Sequence, residues 1–120
     1  MANEMFRFQK LDIWKKAVEI GNRLLDIADD LEHKKLYRFA EQVRGAGLSM
    51  SNNIAEGAGS VSNKEFAQFL NIARRSTFEN ANMAIVFEMR GLISNTTKEE
   101  LLADLAEECK MISGFMRTLK

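Results

Sequence analysis

The chain has 120 residues, 46% of them hydrophobic and 28% charged, with 17 Lys plus Arg against 17 Asp plus Glu and no proline. That describes one folded domain able to bury about two-thirds of its unfolded surface, and excludes the collagen-like and disordered classes. Zero formal net charge gives no overall field toward nucleic acid or an acidic membrane.

The start MANEMFRFQK has no apolar h-region, and no run of about 18 apolar residues could span a bilayer. Cys109 is the single cysteine, so an internal disulfide is excluded. A cytoplasmic protein without membrane contact is expected. Residues 1–9 read as an N-terminal extension and 10–120 as a single all-α domain.

Leu11, Ile13, Trp14, Ala17, Val18, Ile20, Leu24, Leu25, Ile27, Ala28 and Leu31 share one side of a helical wheel, with charged residues opposite. Their arc is wider than the ~100° stripe that one packing partner needs, so this first helix touches neighbours on two sides. His33-Lys34-Lys35 makes a polar turn, and Leu36, Phe39, Ala40, Val43, Gly47, Met50 and Ile54 form the next stripe. Gly57 is expected to cap that helix. Ser62 with Glu65 reads as a capping box for a long third helix that carries Phe66, Phe69, Leu70, Ala73, Thr77, Ala81, Ala84, Met89 and Leu92 on its apolar stripe and ends near Gly91. Thr96 with Glu99, or Thr97 with Glu100, reads as the cap of a fourth, carrying Leu101, Leu102, Leu105, Cys109, Ile112, Phe115, Met116 and Leu119. Four amphipathic helices with short turns predict an antiparallel up-down-up-down four-helix bundle.

Little in the chain supports catalysis. The one histidine, His33, sits in a charged turn and reads as solvent-exposed. Asp29 and His33 stand four apart, but two residues without further histidines or a cysteine cluster do not make a metal site. Cys109 falls on the core stripe, where an inert buried thiol is expected. Gly57 and Gly59 lack the lysine and preceding strand of a phosphate loop. No catalytic residue, metal site or cofactor is expected. The acidic residues Glu99, Glu100, Asp104, Glu107 and Glu108 precede Lys110, Arg117 and Lys120 on the last helix, an order that complements the helix dipole.

The stretch QVRGAGLSMSNNIAEG at residues 42–57 spends helix propensity on small and polar residues. Gln42, Ser49, Asn53 and Glu56 fall in a line beside the apolar stripe, flanked by Gly45, Ala46 and Gly47. With Arg44 they are expected to form a structural polar network at a helix or subunit contact rather than a catalytic site. Arg44, Lys64, Arg74, Arg75 and Arg90 are the candidate phosphate contacts. With no aromatic platform beside them, any RNA or DNA binding is expected to be weak, sequence-independent and salt-sensitive.

Three motifs carry a resemblance: Phe8-x-x-Leu11-x-Ile13-Trp14-x-x-Ala17; Gln42-x-Arg44 with Ser49-x-x-x-Asn53-Ile54-Ala55-Glu56-Gly57; and Glu65-Phe66-x-x-Phe69-Leu70-x-Ile72-Ala73-x-x-Ser76. Together they resemble the four-helix-bundle proteins encoded in intervening sequences of bacterial 23S ribosomal RNA genes, formerly called S23 ribosomal proteins. The likeness runs from about Phe8 to Leu92. It implies a homo-oligomer, a pentameric barrel, and a relationship to the basic accessory variability protein of diversity-generating retroelements, which binds nucleic acid. The chain departs from the family pattern at Gly45, Ser51 and Arg75, where an arginine, a proline and a glycine are usual. Losing that arginine weakens the case for nucleic-acid binding. The expected function is a non-enzymatic bundle protein with a nucleic-acid or ribonucleoprotein accessory role; the alternative is a purely structural or protein-interaction module.

Overall fold

The computed structural model describes residues 5–119, which contain four long helices: α1 (Asp12–His33), α2 (Tyr37–Ala58), α3 (Asn63–Met89) and α4 (Asn95–Met116). A short 3-10 helix, Arg7–Lys10, precedes them. The part of the expected extension before residue 5 lies outside the described residues. The helices form an antiparallel up-down-up-down bundle measuring 44 × 28 × 25 Å, in which α1 packs on α2, α2 on α3 and α3 on α4, with α1 meeting α4 to close the ring.

The helical period places Ile20, Leu31, Met50, Ile54, Leu70 and Leu105 fully inside. The wide arc of α1 divides as expected. Ile13, Ala17, Ile20, Leu24, Ala28 and Leu31 are buried, Trp14 and Ile27 are half-buried against the core on either side, and Val18 and Leu25 are half-buried. Backbones approach closely where α1 crosses α2: a Cβ on Gly21 would stand 3.0 Å from the Gly47 carbonyl oxygen, and one on Gly47 would stand 3.2 Å from Leu24 Cβ. At the N-terminal end, the Arg7 guanidinium lies over the Phe66 ring at 5.2 Å, and Phe8 meets Trp14 edge-on at 5.1 Å.

Several turns differ from the sequence expectation. Gly57 is not the cap of α2; it is buried inside the helix, and Gly59 ends it with right-handed geometry. The glycine at 57 answers to packing instead, since a Cβ there would lie 2.8 Å from Phe66 Cδ1 and 2.9 Å from Phe69 Cβ. Among the described residues, left-handed backbone occurs at Lys35, at φ 64° between α1 and α2, and at Gly91, at φ 73° after α3. Ser62 caps α3 as expected, its hydroxyl oxygen accepting the Glu65 amide at 3.1 Å. The cap of α4 is Ser94, not Thr96 or Thr97: its hydroxyl oxygen accepts the Thr97 amide at 3.0 Å. Neighbouring hydroxyls compete for the cap, and the one in extended backbone takes it.

On α4 the core stripe is Leu101, Leu105, Glu108 and Ile112. Cys109, expected in the core, is half-buried one position to the side, in a groove with Thr77, Phe78 and Leu102. Glu108, expected only to complement the helix dipole, is fully buried. The helical period of α4 is compatible with either residue facing inward, and the way α4 lies against its neighbours decides between them.

Candidate functional site

Ser49 and Asn53 of α2 and Ser76 and Asn80 of α3 line a polar seam between the two helices. Asn53 donates from Nδ2 to the Ser49 carbonyl at 2.8 Å and to Ser49 Oγ at 3.1 Å. Ser49 Oγ lies 2.8 Å from Ser76 Oγ, which is 3.2 Å from the Ile72 carbonyl. One ordering uses every donor: Asn53 gives to Ser49, Ser49 to Ser76, and Ser76 to the backbone of its own helix. One turn along, fully buried Asn80 donates to the Ala46 carbonyl of α2 at 3.0 Å and to the Ser76 carbonyl at 2.9 Å, leaving its Oδ1 without a partner. The side-chain amide thus ties the two helices together inside the bundle.

The five residues expected to form one network occupy separate places. Ser49 and Asn53 belong to the seam ladder. Arg44 turns instead toward α1, donating to Asp29 at 2.9 Å and to Glu32 at 2.8 Å, and these bonds hold its guanidinium firmly in the charged form. Gln42 is exposed at the rim of a cleft of about 390 Å³ with Phe39, Met83, Val86 and Arg90. Glu56 is exposed near the end of α2.

The candidate phosphate contacts are also dispersed. Arg44 already has two carboxylate partners. Arg74 donates from Nε to Ser113 Oγ at 2.9 Å and lies over the Phe78 ring at 5.5 Å. Lys64, Arg75 and Arg90 are exposed along α3 and its C-cap, but Lys64 and Arg90 stand at opposite ends, about 39 Å apart at 1.5 Å per residue.

Sequence reasoning misses the roles of Ser76, Asn80 and Glu108. Polar residues at positions 76 and 80 sit on the inner stripe of a long amphipathic helix, and that placement is the signal that they must find partners. Glu108 has both carboxylate oxygens buried without a hydrogen-bond partner among the described residues. Burial pushes its pKa up to about 8, opposed by the positive charge of Lys16 and reinforced by the negative charge of Glu107. The acid is therefore protonated at neutral pH.

Chemically, the seam holds hydroxyls and carboxamides and no titrating group, so it can fix helix register but offers no acid, base or activated nucleophile. No cluster of three or more metal-binding side chains occurs among the described residues. Removing the amide with Asn80→Ala is expected to cost about 2 kcal/mol, the sum of two hydrogen bonds, in urea unfolding monitored by circular dichroism.

These features define an antiparallel four-helix bundle with a hydrogen-bonded polar seam between α2 and α3. The chain belongs to the 23S rRNA-intervening sequence protein family, whose model matches residues 9–114 and so extends into α4, beyond the stretch that carries the three motifs. A comparison with curated proteins finds no match. The chain is similar in fold to the crystal structure of a protein of unknown function from the S23 ribosomal protein family of Bacteroides thetaiotaomicron VPI-5482. Sequence identity is 22% and the TM-score 0.81, covering 87% of this chain and 97% of that one. At that identity the likeness concerns the fold alone. No helix among the described residues is long and apolar enough to cross a membrane.

Proposed function

We propose that the chain is a non-enzymatic, cytoplasmic protomer of a homo-oligomer, pentameric by the family resemblance, that acts by presenting an assembled surface rather than by chemistry. The observation that supports this reading is the outer face of α3. Ile72, Phe78, Ile85, Val86 and Met89 are between 41% and 76% exposed there, with Phe78 at the groove toward α4 and Val86 at the cleft toward α2. Five exposed large apolar side chains on one helix of a small domain favour a protein contact. On α2, Leu48 is also exposed, and a Cβ on Gly45 would meet no atom within 4 Å, so a second backbone has room to approach there.

Light scattering at micromolar concentration is expected to give a multiple of the 13.6 kDa protomer mass. Phe78→Asp with Val86→Asp is expected to yield monomers that keep their helical circular dichroism. A wild-type protein that scattered as a monomer would sink the proposal.

Nucleic-acid contact is the second reading, supported by Lys64, Arg75 and Arg90, which are exposed along α3 and its C-cap without an ion-pair partner among the described residues. Because they are few and far apart, binding is expected to be weak and lost as salt rises. Arg74→Glu with Arg75→Glu would remove it. Retention of RNA near molar salt would contradict this and favour a specific nucleic-acid role.

A further inference from the structure

α4 is the least anchored helix of the bundle. Among the described residues it buries four, against seven each in α1 and α2 and eight in α3, and one of its four is the acid Glu108. Since burial of apolar surface supplies most of the docking free energy, α4, with three fully buried apolar side chains and the half-buried Met111, Phe115 and Met116, is held less firmly than its neighbours.

The seam between α4 and α1 is closed at its surface by ion pairs. Lys16 reaches Asp104 at 3.2 Å and Glu107 at 3.4 Å, and Arg23 reaches Glu100 at 3.0 Å and Asp104 at 3.5 Å. The Arg23–Glu100 and Lys16–Glu107 pairs, whose carboxylates are exposed, contribute little in water and less in salt, while Lys16–Asp104 is half-buried. On the same helix as these carboxylates, Glu108 is 0% exposed, and neither of its oxygens has a partner. The charges that act on it are Lys16 from α1 and Glu107 from its own helix. The buried residues of α2 and α3 include no titratable group, and Arg74 of α3 is engaged with Ser113 and Phe78. Lys16 is itself already held by two other carboxylates.

We infer that α4 is a pH-releasable helix, which undocks from the body formed by α1, α2 and α3 when the buried Glu108 loses its proton. The Glu108 O–H gives its proton to solvent and leaves a carboxylate, and no other bond changes. Inside the core that carboxylate is shut off from solvent and has no hydrogen-bond donor, and it gains hydration by leaving. The docked carboxyl has a pKa of about 8, against 4.5 for one in water, so between those values the docked form holds a proton that the released form gives up. The released population therefore rises with pH through that window and levels off above it. Release would uncover the apolar sides of α1 and α3 that α4 covers, in a range of pH close to neutral.

Hydrogen exchange read by mass spectrometry tests this on the full chain at pH 6 and pH 9, with protection factors corrected for intrinsic exchange. Protection of amides in α4 is expected to fall roughly a hundredfold between the two, while α1 and α2 lose much less. Neither Glu108→Gln nor Glu108→Met can ionise at position 108, and both are expected to hold α4 protection constant. An equal loss in Glu108→Gln or Glu108→Met, or an equal loss across all four helices of the wild type, would overturn the inference.

Discussion

Glu108→Met is expected to raise the unfolding free energy by about 4 kcal/mol at pH 8 and by only about 1 kcal/mol at pH 5. The buried carboxyl is held neutral in the folded chain, and its pKa lies at about 8 against 4.5 in water. The folded protein therefore binds more protons than the unfolded one between those values. Stability falls as pH rises through that window, by up to about 1.4 kcal/mol per unit for this one group, and levels off above pH 8. Methionine fills a similar volume, adapts its unbranched chain to the site and removes the unpaired oxygens. Urea midpoints measured from pH 5 to pH 9 check the prediction, the difference between variant and wild type growing with pH. A difference independent of pH would mean that Glu108 is ionised or solvated in the folded protein.

Gly57→Val is expected to cost about 3 kcal/mol, because α2 and α3 have no room between them at this level. The first added carbon would lie 2.8 Å from the Phe66 ring and 2.9 Å from Phe69 Cβ. Phe66 is itself confined by Phe115 at 5.4 Å between ring centroids and by the Arg7 guanidinium above it. Phe69 Cβ is fixed to the backbone, so relief requires the helices to move apart. The gain in helix propensity on replacing glycine, at most about 1 kcal/mol, is smaller than the overpacking and does not offset it. Gly45→Ala has the opposite sign. No atom lies within 4 Å of its would-be Cβ, and the propensity gain is expected to stabilise the protomer by up to about 1 kcal/mol. Thermal melts of the two variants should shift in opposite directions. A Gly57→Val protein as stable as the wild type would show that the α2–α3 contact is looser than the structure has it.

Between Gln42 and Gly57 the small and polar residues signal close helix contacts before any partner is known, and they lie at two of them, Gly47 against α1 and Ser49 with Asn53 on the side of α3. The partner of each is not legible from the chain. Arg44 shares α2 with Ser49 and Asn53, yet its own partners, Asp29 and Glu32, come from α1 across the first turn. Ser76 and Asn80 reach the seam from α3, 27 residues beyond Ser49 and 34 beyond Ala46.

Local propensity and a 3.6-residue period with short connections are enough to specify the four helices, their antiparallel order and most of the inward faces of α1, α2 and α3. Phe39 and Met89, expected on the stripes of α2 and α3, are exposed, and Phe87 is buried in place of Met89 because the packing of α3 sets its rotation. Three further features lie beyond that reach and emerge only once the helices are packed. They are the choice between adjacent Glu108 and Cys109 for the core, the choice among Ser94, Thr96 and Thr97 for the cap of α4, and the need for glycine at position 57. The first and third depend on the rotation and distance of a neighbouring helix, and the second on which residue the incoming chain holds extended. A helical period tolerates small differences in these quantities, and close-packed side chains do not.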